Sequence, residues 1–327
     1  MKKSLVFVTF IVLMLASLTS LASYCAIERP DVRSYIDQLV TKYSFDRKKL
    51  EQLFCTVSFN EEVISRIQKP AEAKPWYQYY ELFITPDRIN KGVEYWNKNE
   101  KNLTLAEKRY GVPASIIVAI IGVETKYGQN KGNFPVFNTL ATLAFNDGRR
   151  ASYFRSELTQ YLLLARENNF QPLTLKGSYA GAVGLPQFMP SSYRSYAVDF
   201  ENKGRADLFN DDADAIGSVA NYLNKHGWKT GEPVALAAVI ENDECLPPCD
   251  KKFKPHLTQE DLEKYDISTP VPLGNRKASF IQLENKDDCE YWLGLQNFYV
   301  ISTYNSSDLY VMAVNVLAQK IREKRNS

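Results

Sequence analysis

A single glutamate, Glu124, ends an apolar run that could place a carboxyl group in a dry, reactive setting. The sequence predicts a helix between Pro113, which suits a first helical turn, and Gly128, which suits the position after a helix end. Three isoleucines precede the glutamate by seven, four and three positions and share its helical face: Ile117, Ile120 and Ile121. Desolvation favours the neutral carboxyl group, which is the form that a general acid needs. A glutamate at the edge of an ordinary core helix, with its head in water beside Lys126, fits the same pattern.

A glycine-rich loop at 176–193 places neutral polar groups beside aromatic rings. Its glycines permit close backbone approach: Gly177, Gly181 and Gly184. Ser178 and Gln187 can donate and accept hydrogen bonds, while Tyr179 and Phe188 offer flat apolar faces. Because a glycan presents hydroxyl groups and weakly apolar C–H faces, this combination suits a sugar. A well-packed turn between helices is the alternative. The glycine spacing does not match a phosphate-binding loop.

The composition limits the class of protein. A chain of 327 residues has room for roughly two or three domains. Hydrophobic residues at 45% and charged residues at 24% are typical of a soluble globular protein. The formal net charge of +2 provides no basic field for nucleic acid, so we expect no nucleic-acid partner.

The first residues, 1–22, are predicted to form a signal peptide. Lys2 and Lys3 precede an apolar stretch at 5–15, and the segment 20–22 (Ser-Leu-Ala) fits a cleavage sequence. The apolar stretch is too short for an ordinary membrane span. We therefore expect an exported, periplasmic protein.

The five cysteines fit an oxidising compartment. Cys245 and Cys249 flank Leu-Pro-Pro and are predicted to form a disulfide, with Cys55 and Cys289 as a second, long-range candidate. A metal pair is the alternative for the first two cysteines, but no matching His or Cys pair follows nearby.

Cys25 is then left over, directly after the predicted signal peptide. A lipidated N-terminal cysteine, and hence outer-membrane association, would explain both facts. Tyr24, however, stands where a small residue is expected before such a cysteine. A soluble periplasmic protein is the preferred interpretation, and the lipoprotein is the alternative.

The pattern along the chain indicates a mainly α (α+β) protein. Amphipathic helical segments fill 31–110, with breaks at prolines, and helices continue through 111–229. Short segments at 234–240 and 277–283 are typical of strands, and 308–325 returns to a helical pattern.

Several stretches, in the same order, resemble the membrane-bound lytic murein transglycosylase B family. They are residues 120–128, 141–146 with Arg149 and Arg150, 177–193, 214–223, 226–228, and Tyr304 and Asn305 with Tyr310. The resemblance runs from about residue 30 to the end and is weakest before 100 and between 240 and 290. It implies a lysozyme-like catalytic core at 106–230, a helical domain from 30–105 plus 296–327, and a small β-rich domain at 231–295.

The resemblance also implies an activity. The family cuts the β-1,4 bond between N-acetylmuramic acid and N-acetylglucosamine of peptidoglycan without water, because the muramyl C6 hydroxyl attacks C1 and leaves a 1,6-anhydro ring. Glu124 matches its single catalytic acid. Nine positions match substrate-binding groups: Ser178, Gln187, Phe188, Arg149, Arg150, Tyr222, Tyr304, Asn305 and Tyr310. We expect a monomer that acts on peptidoglycan strands and requires no cofactor.

The number of carboxylates separates two kinds of enzyme. An ordinary glycosidase needs two carboxylates, whereas a substrate that supplies its own nucleophile needs one. Asp147 is the nearest second candidate, but Asn146-Asp147-Gly148 is a turn signal. The family has an uncharged pair between this asparagine and the arginines, so the resemblance does not fix the local geometry around Arg149. A two-carboxylate muramidase and a non-catalytic murein-binding scaffold stay open as alternatives.

The family also carries an EF-hand-like calcium loop, which corresponds here to 199–207. Its acidic positions are Asp199, Glu201 and Asp207, with Asp212 or Asp214 as the closing carboxylate. Lys203 stands at the fifth position, where an oxygen ligand is usual, and its charge opposes a cation. The sequence therefore favours a loop held by Lys203 salt bridges, with bound calcium as the alternative.

Overall fold

The computed structural model describes residues 25–69, 74–240, 246–248 and 253–327. The predicted signal peptide and the predicted Cys245–Cys249 disulfide lie outside these residues. The chain divides into two compact units, one ending at Val57 and the other beginning at Ser58. This division falls inside the segment for which one helical domain was expected, and the domain boundaries stay a prediction.

In its described part, residues 25–57, the first unit contains two α-helices. A short 3-10 helix at Ala26–Glu28 precedes α1 (Pro30–Tyr43) and α2 (Arg47–Cys55). Pro30 occupies the first turn of α1, where its missing N–H costs nothing. The Asp46 side chain caps α2 by accepting from the Lys49 N–H at 2.9 Å. Apolar side chains of both helices are buried together: Val32, Ile36, Leu39, Leu50 and Phe54.

A disulfide closes this unit by joining Cys25 to Cys55 across 30 residues. The predicted Cys55–Cys289 bridge is therefore wrong, and Cys289 is a free thiol. Sequence spacing could not show that the chain before α1 returns to the end of α2. One sulfur cannot carry both a disulfide and a thioether-linked lipid, so this pairing also argues against a lipid anchor at Cys25.

The second unit is built mainly from helices, which confirms the predicted fold class. They are α3 (Glu61–Ile67), α4 (Trp76–Phe83), α5 (Pro86–Lys98), α6 (Glu100–Tyr110), α7 (Ala114–Thr125), α8 (Val136–Asn146), α9 (Ala151–Glu167), α10 (Pro190–Tyr196), α11 (Asp212–Lys225), α12 (Gln259–Lys264), α13 (Gln296–Ser302) and α14 (Asp308–Asn326). None of the helices in the described part of the chain is long and apolar enough to cross a membrane.

Among its described residues, the second unit also contains two antiparallel sheets. A two-stranded sheet joins β1 (Phe134–Pro135) to β2 (Lys176–Gly177). The other sheet has the order β4-β3-β6-β5, from β3 (Ala235–Ile240), β4 (Ile267–Ser268), β5 (Ser279–Glu284) and β6 (Cys289–Gly294). Its register places Trp292 of β6 opposite both Ala237 and Ile281. The strands predicted near 234–240 and 277–283 are confirmed, and apolar side chains such as Leu262, Phe280 and Leu293 form a core against this sheet.

Helix α7, which carries Glu124, is almost entirely buried. Every residue from Ala114 to Val123 is buried, whereas Glu124 is half-buried. The three predicted isoleucines lie in this core. The helix is buried on all sides, however, and not only along the single apolar stripe that the sequence predicted. A helix that is apolar on all sides is a core helix. Helix α14 packs along α7, so the two helices can bring distant residues together at one end.

We expect the replacement Cys55→Ser to lower the free energy of unfolding of the first unit by about 3 kcal/mol, because a bridge across a loop of this length restricts the unfolded chain. Denaturant unfolding with and without reductant measures the loss. Cys289→Ser is the matched control and should leave the unfolding curve unchanged. Peptide mapping that finds a Cys55–Cys289 bond would contradict the assignment.

Candidate active site

The backbone turns sharply just after Glu124. Lys126, Tyr127 and Gly128 follow the helix with φ angles of 51°, 59° and 86°, all in the left-handed region. The Thr125 hydroxyl accepts from the Gly128 N–H at 3.0 Å and donates to the Leu185 carbonyl at 2.9 Å. These bonds hold the 176–193 loop against the end of α7. Glu124 is thereby placed beside the loop that the sequence singled out.

The carboxyl group of Glu124 is held by a tyrosine from the first turn of α14. The Tyr310 hydroxyl donates to Glu124 Oε1 at 2.6 Å. The Ser307 side chain caps α14 by accepting from the Tyr310 N–H at 3.3 Å, which fixes the position of the tyrosine. Burial, and then the nearby Glu124 charge, raise the pKa of Tyr310 well above its ordinary value. The phenol therefore stays protonated and acts as a donor to the carboxylate.

Aromatic rings continue from Tyr310 into a wall. Tyr304 stacks on Tyr310 with centroids 6.4 Å apart, and Phe188 lies 5.7 Å from Tyr304. Tyr222 completes the cluster, at 5.6 Å from Phe188 and 4.9 Å from Tyr304. The Tyr222 hydroxyl donates to the Thr303 carbonyl at 2.6 Å, and Tyr304 donates to the Pro186 carbonyl. Both hydroxyls anchor the rings, so the wall is fixed in shape.

A cavity of about 170 Å³ opens on this wall. It is lined by four of the predicted site residues, namely Gln187, Phe188, Tyr222 and Tyr304. Tyr153, Glu157 and Ser191 line the same cavity. The structure thus brings residues from four separate sequence segments to one apolar and polar surface, and the stacked Tyr304 and Tyr310 connect it to Glu124.

Two predicted polar groups hold the loop itself. The Ser178 hydroxyl accepts from the N–H groups of Ala180 and Ala182, at 3.2 and 3.0 Å. The Gln187 amide donates to the Gly184 carbonyl at 2.9 Å and to the Lys131 carbonyl at 3.2 Å. Their contact with a glycan stays a prediction.

The backbone conformation and the close packing at position 184 both require a glycine. Its φ is 76°, and a Cβ atom would lie 2.5 Å from the Leu208 carbonyl oxygen.

The remaining predicted residues are less closely connected to the cavity. Arg149 and Arg150 are exposed in the turn before α9, and the Arg150 guanidinium lies 5.1 Å from the ring of Tyr153, a cavity residue. Among the described contacts, none connects Arg149 to the cavity. Asn305 is half-buried, and its carbonyl accepts from the Ser307 N–H at 2.8 Å.

The sequence did not identify Glu157, a buried carboxylate on the cavity wall. Its Oε1 accepts from the Ser191 hydroxyl at 2.6 Å and its Oε2 from the Ser191 N–H at 3.0 Å. The signal was present: Glu157 stands among the apolar positions of α9, between Phe154 and Leu158. Asp147 follows the end of α8 as predicted for a turn, and it is absent from the cavity lining among the described residues.

Known proteins are similar to this chain in sequence and fold. The sequence pattern of the transglycosylase SLT domain matches residues 28–319. The chain belongs to the transglycosylase SLT family. The membrane-bound lytic murein transglycosylase B of Escherichia coli (strain K12) is 43% identical over 303 residues, which cover 89% of this chain and 82% of that protein.

Solved SLT-family structures confirm the predicted fold. The E. coli lytic transglycosylase Slt35 in complex with calcium matches with a TM-score of 0.84 and 42% identity, over 91% of this chain and 94% of that one. SltB3 from Pseudomonas aeruginosa in complex with NAG-anhNAM-pentapeptide matches with a TM-score of 0.75 and 28% identity, over 89% and 79% of the two chains.

Because Slt35 was solved in complex with calcium, the residues of the 199–207 loop can be compared with the ligands that a calcium ion needs. Here Lys203 Nζ lies 2.7 Å from Glu201 Oε2 and 2.6 Å from Asp211 Oδ2. Hydrogen bonds to Asp211 and then Glu201 raise the pKa of Lys203 above its usual range, so the ammonium stays charged. The predicted Lys203 salt bridges are present.

The other acidic side chains of the loop bind backbone donors. Asp199 accepts from the N–H groups of Lys203 and Gly204, and Asp207 from those of Phe209 and Asn210. The buried Asp214 accepts from the Phe200 and Asp207 N–H groups, both at 2.8 Å. Within the described part of the chain, no group of three or more His, Cys, Asp or Glu side chains could hold a metal ion. This arrangement favours the predicted loop held by Lys203 salt bridges, and the absence of bound calcium stays a prediction.

We expect millimolar calcium to leave the melting temperature and activity of the wild-type protein unchanged. Lys203 stands where a calcium loop usually has an oxygen ligand, and its positive charge repels the cation. Lys203→Asp restores a carboxylate at that position and should gain a calcium-dependent rise in melting temperature. Lys225→Asp, on α11 outside the loop, is the charge-matched control. A chelator-reversible stabilisation of the wild-type protein would overturn this interpretation.

Proposed function

We propose that this chain is a lytic transglycosylase that cleaves the β-1,4 bond between N-acetylmuramic acid and N-acetylglucosamine of peptidoglycan without water. The observation that carries the proposal is the Tyr310–Glu124 hydrogen bond beside an aromatic, amide-lined cavity. The SLT-family match and the murein transglycosylase relative support it. The relative solved with an anhydromuramyl ligand supports the anhydro product.

Glu124 acts as general acid and then as general base in this proposal. It protonates the glycosidic oxygen as the C1–O bond breaks, so the N-acetylglucosamine end leaves as an alcohol. The regenerated carboxylate then takes the proton from the muramyl C6 hydroxyl, whose oxygen bonds to C1 and closes the 1,6-anhydro ring. The proton balance closes, and no water is consumed. Tyr310 holds the carboxyl group, and the aromatic wall packs against the sugar C–H faces.

A hydrolase with two carboxylates is the alternative, and Glu157 is the carboxylate that the structure offers for it. A water-activating base needs a lone pair directed at the water. Each oxygen of Glu157 accepts from Ser191 and supports the start of α10, so the geometry favours a structural role. Mass spectrometry of the muramyl ends released from purified peptidoglycan separates the two: anhydro ends support the lyase, and reducing ends support the hydrolase.

The location follows from the predicted signal peptide. We propose that the chain is exported to the periplasm and acts there as a monomer on peptidoglycan strands. A relative is described as membrane-bound. In this chain the Cys25–Cys55 disulfide favours the form without a lipid on Cys25.

We expect Glu124→Gln to lower the rate of peptidoglycan cleavage by about 10²–10⁴-fold, because glutamine keeps the size of the side chain but carries no transferable proton. Release of soluble muropeptides from purified sacculi measures the rate. Asp147→Asn is the matched carboxylate-to-amide control and should retain activity. A Glu124→Gln enzyme that keeps more than roughly a tenth of wild-type activity would remove the proposed role.

We expect Tyr310→Phe to lower kcat by about tenfold and to change KM little, because the ring stays while the donor to Glu124 is lost. The kinetics are measured on a soluble glycan substrate. Tyr161→Phe is the control, since it removes another buried hydroxyl, which donates to the Pro172 carbonyl. An equal kcat loss in both variants would indicate general destabilisation instead of positioning.

A further inference from the structure

The turn at 226–228 (His-Gly-Trp) ends α11 and carries part of the family resemblance, but none of its residues lines the cavity on the aromatic wall. The Trp228 N–H donates to the Leu223 carbonyl at 3.1 Å, and the Gly227 N–H donates to another carbonyl of the last helical turn at 3.0 Å. Gly227 has a φ of 93°, in the left-handed region. This pair of bonds is a Schellman motif, which fixes the end of a helix. His226 therefore has a defined position.

The ring of His226 stacks on Tyr222, which does line the cavity. The two ring centroids are 4.0 Å apart, and the ring planes meet at 24°. Tyr196 packs against both rings, 4.9 Å from Tyr222 and 5.0 Å from His226. The Asn221 amide donates to the Tyr196 carbonyl at 2.9 Å, so Tyr196 is also tied to α11. His226 thus contacts the aromatic wall without itself lining the cavity.

The His226 stack restrains the plane of the Tyr222 ring. The hydroxyl bond from Tyr222 to the Thr303 carbonyl, at 2.6 Å, fixes only the tip of the ring. The orientation of the plane depends on what packs against the two faces. In the described part of the chain, His226 is the ring nearest to Tyr222, since the other aromatic neighbours lie at 4.9 to 5.6 Å. Removal of the imidazole would therefore free the ring to tilt.

A hydrogen bond at the helix end does not by itself require a histidine. His226 Nδ1 lies 2.7 Å from the Tyr222 carbonyl oxygen, and because a carbonyl only accepts, Nδ1 carries the proton. Asparagines at the ends of α5 and α9 make the same bond: Asn99 and Asn168 each donate to the carbonyl four residues earlier, at 3.0 Å. The feature that histidine adds at the end of α11 is a flat ring.

We propose that His226 is a positioning residue that sets the affinity of the cavity for a glycan by stacking on Tyr222. The proposal rests on the proposed function for the identity of the glycan. A tyrosine held at a fixed angle presents a flat face to the C–H groups of a sugar. The contacts from His226 to Glu124 run through three rings, Tyr222, Tyr304 and Tyr310. His226 therefore affects glycan binding more than the chemical step.

Steady-state kinetics on soluble, uncrosslinked peptidoglycan strands test the proposal. We expect His226→Ala to raise KM about fivefold and to change kcat by less than about twofold, because binding is lost equally in the ground state and the transition state. His226→Phe keeps a ring without the donor and should restore KM to within about twofold of the wild type. His226→Asn keeps the donor without the ring and should behave like His226→Ala. The matched control is His256→Ala, at the other, exposed histidine of the chain, and it should change neither parameter.

Binding without turnover separates this proposal from the proposed function. In the Glu124→Gln background, we expect calorimetric titration with the same strands to give a Kd that His226→Asn raises about fivefold and His226→Phe leaves unchanged. This comparison does not depend on which product is formed. Reducing ends in the products would overturn the proposed lyase reaction and leave the Kd comparison intact. Melting temperatures show which variants are folded, and His226→Phe keeps the test valid if His226→Ala is not.

Three results would overturn the positioning role. Wild-type KM and Kd in His226→Asn would show that His226 contributes only the hydrogen bond at the helix end. A KM in His226→Phe as high as that in His226→Ala would show that a stacked ring is not what the site requires. A fall in kcat with unchanged KM in His226→Ala would place the effect on the chemical step instead of glycan binding.

Discussion

The hydrogen bond from Tyr310 to Glu124 is the interaction on which the candidate active site depends. It joins residues 186 positions apart, at 2.6 Å. A carboxyl group at the end of a wholly buried helix is costly to hold unless a donor meets it. The donor is available only because α14 packs along α7 and Ser307 fixes its first turn. The packing of α14 along α7 therefore also determines how the Glu124 carboxyl group is held.

The left-handed turn after Glu124 positions the 176–193 loop beside the end of α7. Thr125 ties the helix end to Leu185, and the loop beyond it supplies Gln187 and Phe188. Ser178 and Gln187 use hydrogen bonds on the loop backbone, so the loop is shaped before any substrate arrives. Such preorganisation lowers the cost of aligning a substrate with a catalytic group. In the proposed reaction, this hydrogen-bonded loop would hold the substrate beside Glu124.

The sequence predicted the features that depend on local pattern. Helix α7, helix α14 and the short strands around β3 and β5 follow from hydrophobic spacing and from proline and glycine positions. The Cys25–Cys55 bond did not follow, because pairing depends on which helix ends meet. Glu157 was missed for a related reason: the hydrogen bonds that its buried carboxylate accepts come from Ser191, 34 residues away in sequence. Long-range contacts, not local propensity, account for the differences.

The acidic loop at 199–207 shows how a family feature can change while its fold persists. Lys203 places one positive charge among carboxylates, but its side chain is 53% exposed and its ion pairs are screened by solvent. Asp214 is 1% exposed and binds the N–H groups of Phe200 and Asp207. Because buried donors are expensive to leave unpaired, Asp214 contributes more to holding the loop than Lys203 does. The Lys203 ion pairs offset part of the acidic charge and the buried Asp214 holds the backbone, which is the arrangement that the prediction of a loop without calcium requires.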